Sequence, residues 1–387
     1  MEWKDIKNIR GLRSVTTIGS SNIIGTAITS VFWISIAGLL GTESYGELSY
    51  FLAIIGISSI IAMIGGGYTM QVYAAKGVKI ESSLYFLGII ASTVAAITLF
   101  LMFENFGVSI CVIGIVAFNL ILFEILGKKL YKKYFKIFVG QKILFVLIAF
   151  AFYFVFGTVE GILLGYGVSL LLFSQIIYKS FKNNKVNFPL IRERIKFLSH
   201  NYIAELSATA RNHVDKLIIA PLLGFSFLGN YFLGLQVLAV MLIIPGIVFK
   251  YTLPEDSTGK PTGKIKILTI IVSFFIMLIG IFLAPLVIPI VLPEYAATVD
   301  LIPILSLVVI PRTISVMITS SFLGKENSKY VVIGNIITFG VLVVSLFPLS
   351  ELFEITGVAI AYVIAFSSST TYMVTKYLQL RNKNHQE

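Results

Sequence analysis

Between Asn201 and Leu222 an otherwise apolar chain gathers Glu205, Arg211, Asn212, His213, Asp215 and Lys216. At 100° per residue, Ile203, Leu206, Ala210, Val214 and Leu217 fall on one narrow helical stripe, spaced three and four apart and suited to packing against other helices. Asn201, Glu205, Thr209, Asn212 and Lys216 form a second stripe, with His213 at one edge and Arg211 and Asp215 at the other. Charged groups at membrane depth are costly unless they are paired or face water. The second stripe is therefore expected to line a polar cavity inside a helical bundle.

Arg211 and Asp215 are four apart and can neutralise each other. Lys216 points about 140° around the helix from Arg211, so that pairing leaves cationic surface over. Surplus positive charge in a cavity suits an anion, and a phosphate or pyrophosphate is the one expected of a membrane carrier. Snorkelling of Lys216 to the interface is the competing role. A further cation, Arg312, lies in SLVVIPRTISVMITSS, where Pro311 removes a backbone donor and loosens the helix; satisfying the freed carbonyls is its competing role. The expected binding set is Arg211, Lys216 and Arg312 with Asn212 and His213. Asp215, Glu205 and His213 are the deep candidates for coupling to H+ or Na+. In the first half Asn22, Gln71, Asn119 and Glu124 are milder. Glu124 is expected to ion-pair with Lys128 or Lys129, and GKKLYKKYFKIF from Gly127 reads as an interfacial helix or helix start that holds anionic headgroups, with a plain topology anchor as the competing role.

The elements that must position these residues are transmembrane helices. The 387 residues are 57% hydrophobic and 13% charged, with 31 Phe and 18 Tyr, and the mean hydropathy is +0.92. That composition describes an all-α polytopic membrane protein. With about 20 apolar residues per span, twelve spans are expected: 15–40, 48–74, 83–103, 106–126, 138–157, 159–179, 199–222, 229–250, 266–291, 297–323, 330–349 and 355–378. Prolines 245, 285, 289 and 303 point to bending in the second half. Lys and Arg sit before the first span, in the even-numbered connections and in the tail. Lys128, Lys129, Lys132, Lys133, Lys136 and Lys142 are counted together in one such connection. The odd-numbered connections carry acids such as Glu43, Glu104, Glu160, Glu294 and Glu354, with no Lys or Arg. This alternation accounts for the net charge of +11 without nucleic acid, and places both termini in the cytoplasm.

The chain also repeats. LGTESYGELSYFLAI from Leu40 is echoed by LGFSFLGNYFLGLQV from Leu223, with glycines five apart in both; GILLGYGVSLLLF from Gly161 is echoed by GVAIAYVIAFSSS from Gly357. Two six-helix lobes follow as parallel repeats around a central cavity: 1–180 and 199–387, joined by the basic linker 181–198.

Enzyme signatures are missing. There is no G-x-x-x-x-G-K-[ST], no H-E-x-x-H and no G-x-S-x-G with triad partners. Three histidines and the single Cys111 argue against a zinc site and exclude an intrachain disulfide. No catalytic residue, cofactor or metal is expected.

The elements LGTESYGELSYF, RNHVDKLIIAPLLGFSFLGNYFLG, LPEYAATVDLIPILSLVVIP and ITGVAIAYVIAFSSS together resemble the Wzx-type polysaccharide transporters of the multidrug/oligosaccharidyl-lipid/polysaccharide (MOP) flippase superfamily. The resemblance implies two six-helix lobes around a cavity in the plasma membrane. It implies reorientation of a lipid-linked oligosaccharide by alternating access, with the lipid's phosphate on cations that map onto Arg211, Lys216 and Arg312. Membrane lipids, and glycan polymerases or glycosyltransferases, are the implied partners. A cation-extruding multidrug carrier of the same superfamily is the nearest alternative, and a membrane glycosyltransferase or polymerase the next.

Overall fold

A computed structural model describes residues 12–257, 259, 261–324 and 327–383. Among them every regular element is an α-helix: α1 (Leu12–Met63), α2 (Gly66–Ala75), α3 (Glu81–Phe103), α4 (Phe106–Gly127), α5 (Tyr131–Phe156), α6 (Val159–Leu171), α7 (Gln175–Asn183), α8 (Phe188–Arg192), α9 (Ile195–Leu223), α10 (Phe225–Met241), α11 (Ile243–Ser257), α12 (Gly263–Phe282), α13 (Ala284–Val291), α14 (Ala296–Ser306), α15 (Val309–Gly324) and α16 (Ser328–Lys383).

Among the described residues seven helices are long and apolar enough to cross a membrane, or nine if two bent pairs are each one span. The 52-residue α1 and 56-residue α16 are each too long for one crossing. Each breaks once, at Gly41 (φ 72, ψ 174) and at Glu354 (φ 52, ψ −129), and so supplies two. α9 fails the apolar test because of its charges. With these three allowances a helix stands at each of the twelve predicted spans.

The bends have local causes. α10 and α11 meet at 45°, α14 and α15 at 44°. Pro245 and Pro311 are each the third residue of the second helix, where a missing N–H costs no hydrogen bond. Elsewhere, polar side chains start the helices. Asn105 accepts from Val108 N at the head of α4 and Thr158 from Gly161 N at the head of α6, while Glu160 reaches across to accept from Phe106 N (2.9 Å).

Packing divides the chain into two compact units that do not follow chain order. Unit 1 contains the chain up to Phe32 and Glu47–Leu217; unit 2 contains Trp33–Gly46 and Ile218–Glu387. Unit 1 packs around a cluster that includes Met70, Leu84, Tyr85, Val116, Leu120 and Ile121. Unit 2 has one cluster around Leu238, Val308, Val309 and Phe366 and another around Ile318, Phe322 and Met373.

Within unit 2 the two copies of the glycine repeat meet each other. Gly41 and Gly224 adopt matching backbone angles that L side chains rarely enter (φ 72, ψ 174 and φ 87, ψ 170). Five residues on, a Cβ on Gly46 would collide with the Phe225 carbonyl, and one on Gly229 with the Thr42 carbonyl. Thr42 Oγ1 and Ser226 Oγ lie 3.0 Å apart across the same junction. Equivalent positions thus contact one another reciprocally, as a local two-fold requires, and the sequence echo is a packing device.

Candidate polar site on α9 and intramembrane charges

α9 runs unbroken through the polar stretch, and residues 195–217 of it pack in unit 1. Burial does not follow the two stripes. Ile203, on the stripe expected to pack against helices, is 64% exposed, whereas Glu205, Asp215 and Lys216 are buried. Lipid solvates leucine and isoleucine as well as protein does, so burial in a membrane helix goes to the groups lipid cannot solvate.

Glu205 reaches the break between α1 and α2, where Ile64 (φ 50) and Gly65 (φ 68) turn the chain. The Tyr68 amide, in the first turn of α2, donates to Glu205 Oε1 at 2.8 Å. A carboxylate from α9 thereby supplies the N-terminal cap that Gly65 lacks, at the positive end of the α2 dipole. Glu205 Oε2 is buried with no hydrogen-bond partner. Two turns on, His213 is half-buried with its ring against Gly56 of α1, where any Cβ would meet Nε2 at 2.5 Å; His213 Nδ1 is buried without a partner.

Asp215 and Lys216 form an ion pair, with Nζ 3.1 Å from Oδ1 and 3.3 Å from Oδ2. Adjacent residues on a helix do not face each other, so the lysine stem curls back to donate also to the Asn212 carbonyl at 3.0 Å. Both residues belong to unit 1 and are 1% and 8% exposed, and the charge of Lys216 is neutralised by its own neighbour. Asn212 is exposed, while the side chain of Arg211, expected to pair with Asp215, lies outside the described residues.

Arg312 belongs to unit 2. It is half-buried in the first turn of α15, just past the 44° bend, with its guanidinium carbon 4.8 Å from the Phe366 ring centroid. The Pro311 carbonyl beside it accepts from Thr370 Oγ1 at 2.8 Å.

Two further clusters sit at helix ends. In unit 1 Lys128 Nζ lies 2.5 Å from Glu124 Oε1 and 3.0 Å from Glu81 Oε1, and Tyr85 donates to Glu124 Oε2 at 2.5 Å. The expected Glu124–Lys128 pair is therefore present, with Glu81 added from α3. Partial burial works against the ammonium, but the hydrogen bonds and charges of the two glutamates prevail and hold its pKa above the usual lysine value. In unit 2 Asp256 accepts from Lys266 Nζ (2.5 Å), Ser320 Oγ (2.5 Å) and Thr262 Oγ1, and Lys266 also reaches Ser321 Oγ at 2.6 Å. Asp256, Thr262, Lys266 and Ser321 border a cavity of about 220 Å³ with Gly259, Gly263 and Tyr377. Burial alone would raise the Asp256 pKa; the three donors and the lysine charge outweigh it and hold it below the usual carboxylate value. Among the described residues no group of three His, Cys, Asp or Glu side chains is placed to hold a metal.

Solved structures locate this fold. One is described as the inward-facing conformation of a multidrug resistance MATE family transporter of the MOP superfamily. It matches with a TM-score of 0.68 and 14% identity over 93% of this chain and 95% of that one. The chain has the fold of a MOP superfamily transporter. An outward-facing conformation of a multidrug resistance MATE family transporter matches with a TM-score of 0.61 and 15% identity over 95% and 96% of the two chains. A MOP superfamily transporter from Pyrococcus furiosus Vc1, described by a reverse polarity of its binding pocket that suggests a different function, matches with a TM-score of 0.61 and 15% identity over 95% of each. No family model and no curated protein matches the sequence.

Sequence reasoning missed Glu81, Asp256 and Lys142. Lys142, counted with the basic connection, lies inside α5. The first two show only as acids beside Lys-rich connections; the third carried a signal, the apolar turns on both sides of it.

Proposed function

We propose that the chain is a membrane carrier that reorients a polyprenyl-phosphate- or pyrophosphate-linked oligosaccharide from the cytoplasmic to the outer face by alternating access. The observation that carries this reading is the sign of the charge inside the spans. Setting aside the charges within three residues of a span end, Glu124 and Asp300 among them, Arg211, Lys216, Arg312 and Lys142 stand against Glu205 and Asp215, and of these acids Asp215 is paired within unit 1 while Glu205 caps α2. A cationic surplus favours an anionic headgroup. In this reading Arg211 on α9 and, separately, Arg312 on α15 are offered as contacts for the phosphate, Asn212 and His213 contact the sugar, and the tail stays in lipid. Lys216 serves by holding Asp215. Glu205, with one oxygen unpartnered, is the first candidate for a coupled H+ or Na+, ahead of Asp215. The carrier resides in the plasma membrane with both termini cytoplasmic, and serves glycan polymerases or glycosyltransferases.

A second reading, ion-coupled export of cationic drugs, is favoured by the multidrug transporters among the similar structures. The Pyrococcus furiosus protein, with its pocket of reverse polarity, is support for different functions on this fold. The deciding experiment is translocation of a fluorescent polyprenyl-pyrophosphate glycan in liposomes, with Arg211→Ala and Arg312→Ala beside the intact protein. Loss of translocation in folded variants is the expected result. No lipid movement, together with export of a cationic dye against a gradient, would replace the flippase reading with the drug reading.

A further inference from the structure

α5 begins at Tyr131, just after Lys129 turns the chain with φ 58. Lys142 is eleven residues further on, about 16 Å along the axis from that start at 1.5 Å per residue, six residues past the last exposed lysine, Lys136, and four residues inside the expected span 138–157. The basic residues before it, Lys128, Lys129, Lys132, Lys133 and Lys136, are exposed; Lys142 is not. Its stem lies against α1 at Gly25, where an added Cβ would stand 3.3 Å from Lys142 Cγ and 2.6 Å from Phe138 Cε1. Its ammonium sits 5.4 Å from the Phe138 ring centroid, a weak counterpart for a full charge. Among the described residues no carboxylate lies within 4.0 Å of it. The contrast within unit 1 is direct: Lys216 is buried with Asp215 against it, and Lys142 lies against Gly25 and Phe138 with no carboxylate in ion-pair reach among the described residues. A lysine held at that depth without a counter-ion marks a site for one.

We propose that Lys142 is an anion-binding residue of unit 1, its ammonium taking the phosphate or pyrophosphate of the carried lipid between Gly25 of α1 and Phe138 of α5. The assignment rests on the flippase reading above, and it names a residue of a different helix from those on α9 and α15. The close approach at Gly25 leaves room for the lysine stem beside α1, and the Phe138 ring orients the ammonium. The rival role is snorkelling, in which the stem leans back toward the start of α5 and the charge meets only lipid headgroups and water.

The test uses the full chain in nanodiscs of phosphatidylcholine, which offers no net anionic lipid to compete. Equilibrium binding is measured with three probes: polyprenyl pyrophosphate, the uncharged polyprenol and inorganic pyrophosphate. The intact protein is expected to prefer polyprenyl pyrophosphate to polyprenol. Lys142→Met should weaken polyprenyl-pyrophosphate binding by about tenfold or more, as for the loss of one charge-assisted contact, and leave polyprenol binding unchanged, while Lys142→Arg keeps most of the affinity. If inorganic pyrophosphate shows the same loss, the free anion suffices for the site. If it does not bind and the lipid does, the headgroup must be presented from the membrane; both outcomes support Lys142 as the anion contact. Should Lys142→Met fail to fold, Lys142→Gln gives the same comparison. An unchanged preference in the variants overturns the assignment and leaves the flippase reading standing. No preference for the pyrophosphate in the intact protein ends both.

Discussion

Replacing Gly46 by Ala places a methyl group where α1 and α10 touch backbone to backbone. The new Cβ would overlap the Phe225 carbonyl oxygen and lie 2.7 Å from its carbon and 2.9 Å from Gly229 N. None of these is the end of a flexible side chain, so the helices must part by roughly an ångström to reach ordinary contact. Overpacking of this kind costs about 1–3 kcal/mol. Ala in place of Gly inside a helix returns about 0.5–1 kcal/mol, and the net expectation is destabilisation by about 1–2 kcal/mol. Gly140→Ala in α5 is the control, because a Cβ there has nothing within 4 Å; only the helix term acts, and the variant should be unchanged or more stable by up to about 1 kcal/mol. Gly46→Ala/Gly229→Ala should cost less than the sum of the single changes, since the first methyl already separates the junction the second would enter. Reversible unfolding of the detergent-solubilised protein measures all four. If Gly46→Ala is as stable as Gly140→Ala, the reciprocal contact is wrong, and with it the packing role given to the repeat.

Lys216→Met should destabilise by about 3–5 kcal/mol by leaving Asp215 charged and buried, and Asp215→Asn/Lys216→Met should recover most of it, read as folded yield and unfolding temperature; equal loss in both would show the two residues acting separately. Glu205→Ala removes the acceptor for the Tyr68 amide and should cost about 1–3 kcal/mol, whereas Glu205→Gln keeps an acceptor and loses only the charge at the α2 N-terminus, about 0.3–1 kcal/mol. The carboxyl of Asp256 is held below its ordinary value, so its contribution is present at neutral pH and lost as pH falls through the folded-state value. Stability should therefore decline on acidification below about pH 4, and Asp256→Asn should flatten that decline in a pH series of unfolding temperatures.

The spans were legible because hydropathy and length say where a chain can cross a bilayer, and the alternation of lysines with acids checks the count. The breaks were legible where the residue announces itself, as with Pro245, Pro311, Gly41 and Gly224. Glu354 does not announce itself, because a non-glycine residue at positive φ is a choice made by the surrounding structure. The polar stretch of α9 was legible as two stripes, but not which residue answers which. A wheel places Arg211 and Asp215 on one side by angle alone. Lys216 also reaches Asp215, its long stem folding back along the helix, and side-chain reach is outside what helical angle encodes; the Arg211 side chain lies outside the described residues.

Lys142 and Lys216 show why intramembrane charge must be judged by partner and not by count. Both are single lysines in apolar surroundings, and a rule that assigns every lysine near a span end to topology removes the first while retaining the second. The helix start decides the matter. The chain turns at Lys129 and α5 then runs unbroken from Tyr131, so the basic run becomes the first turns of a span and its last member is carried inward. Lys216 brings its counter-ion in the adjacent residue, and the cost of burying it is met locally. Lys142 brings none, and what offsets its depth must come from outside the described fold, as water, lipid headgroup or cargo. Of these only cargo is specific to one anion, which is why a pyrophosphate lipid and its uncharged alcohol, compared on the same protein, separate a binding residue from a snorkelling one.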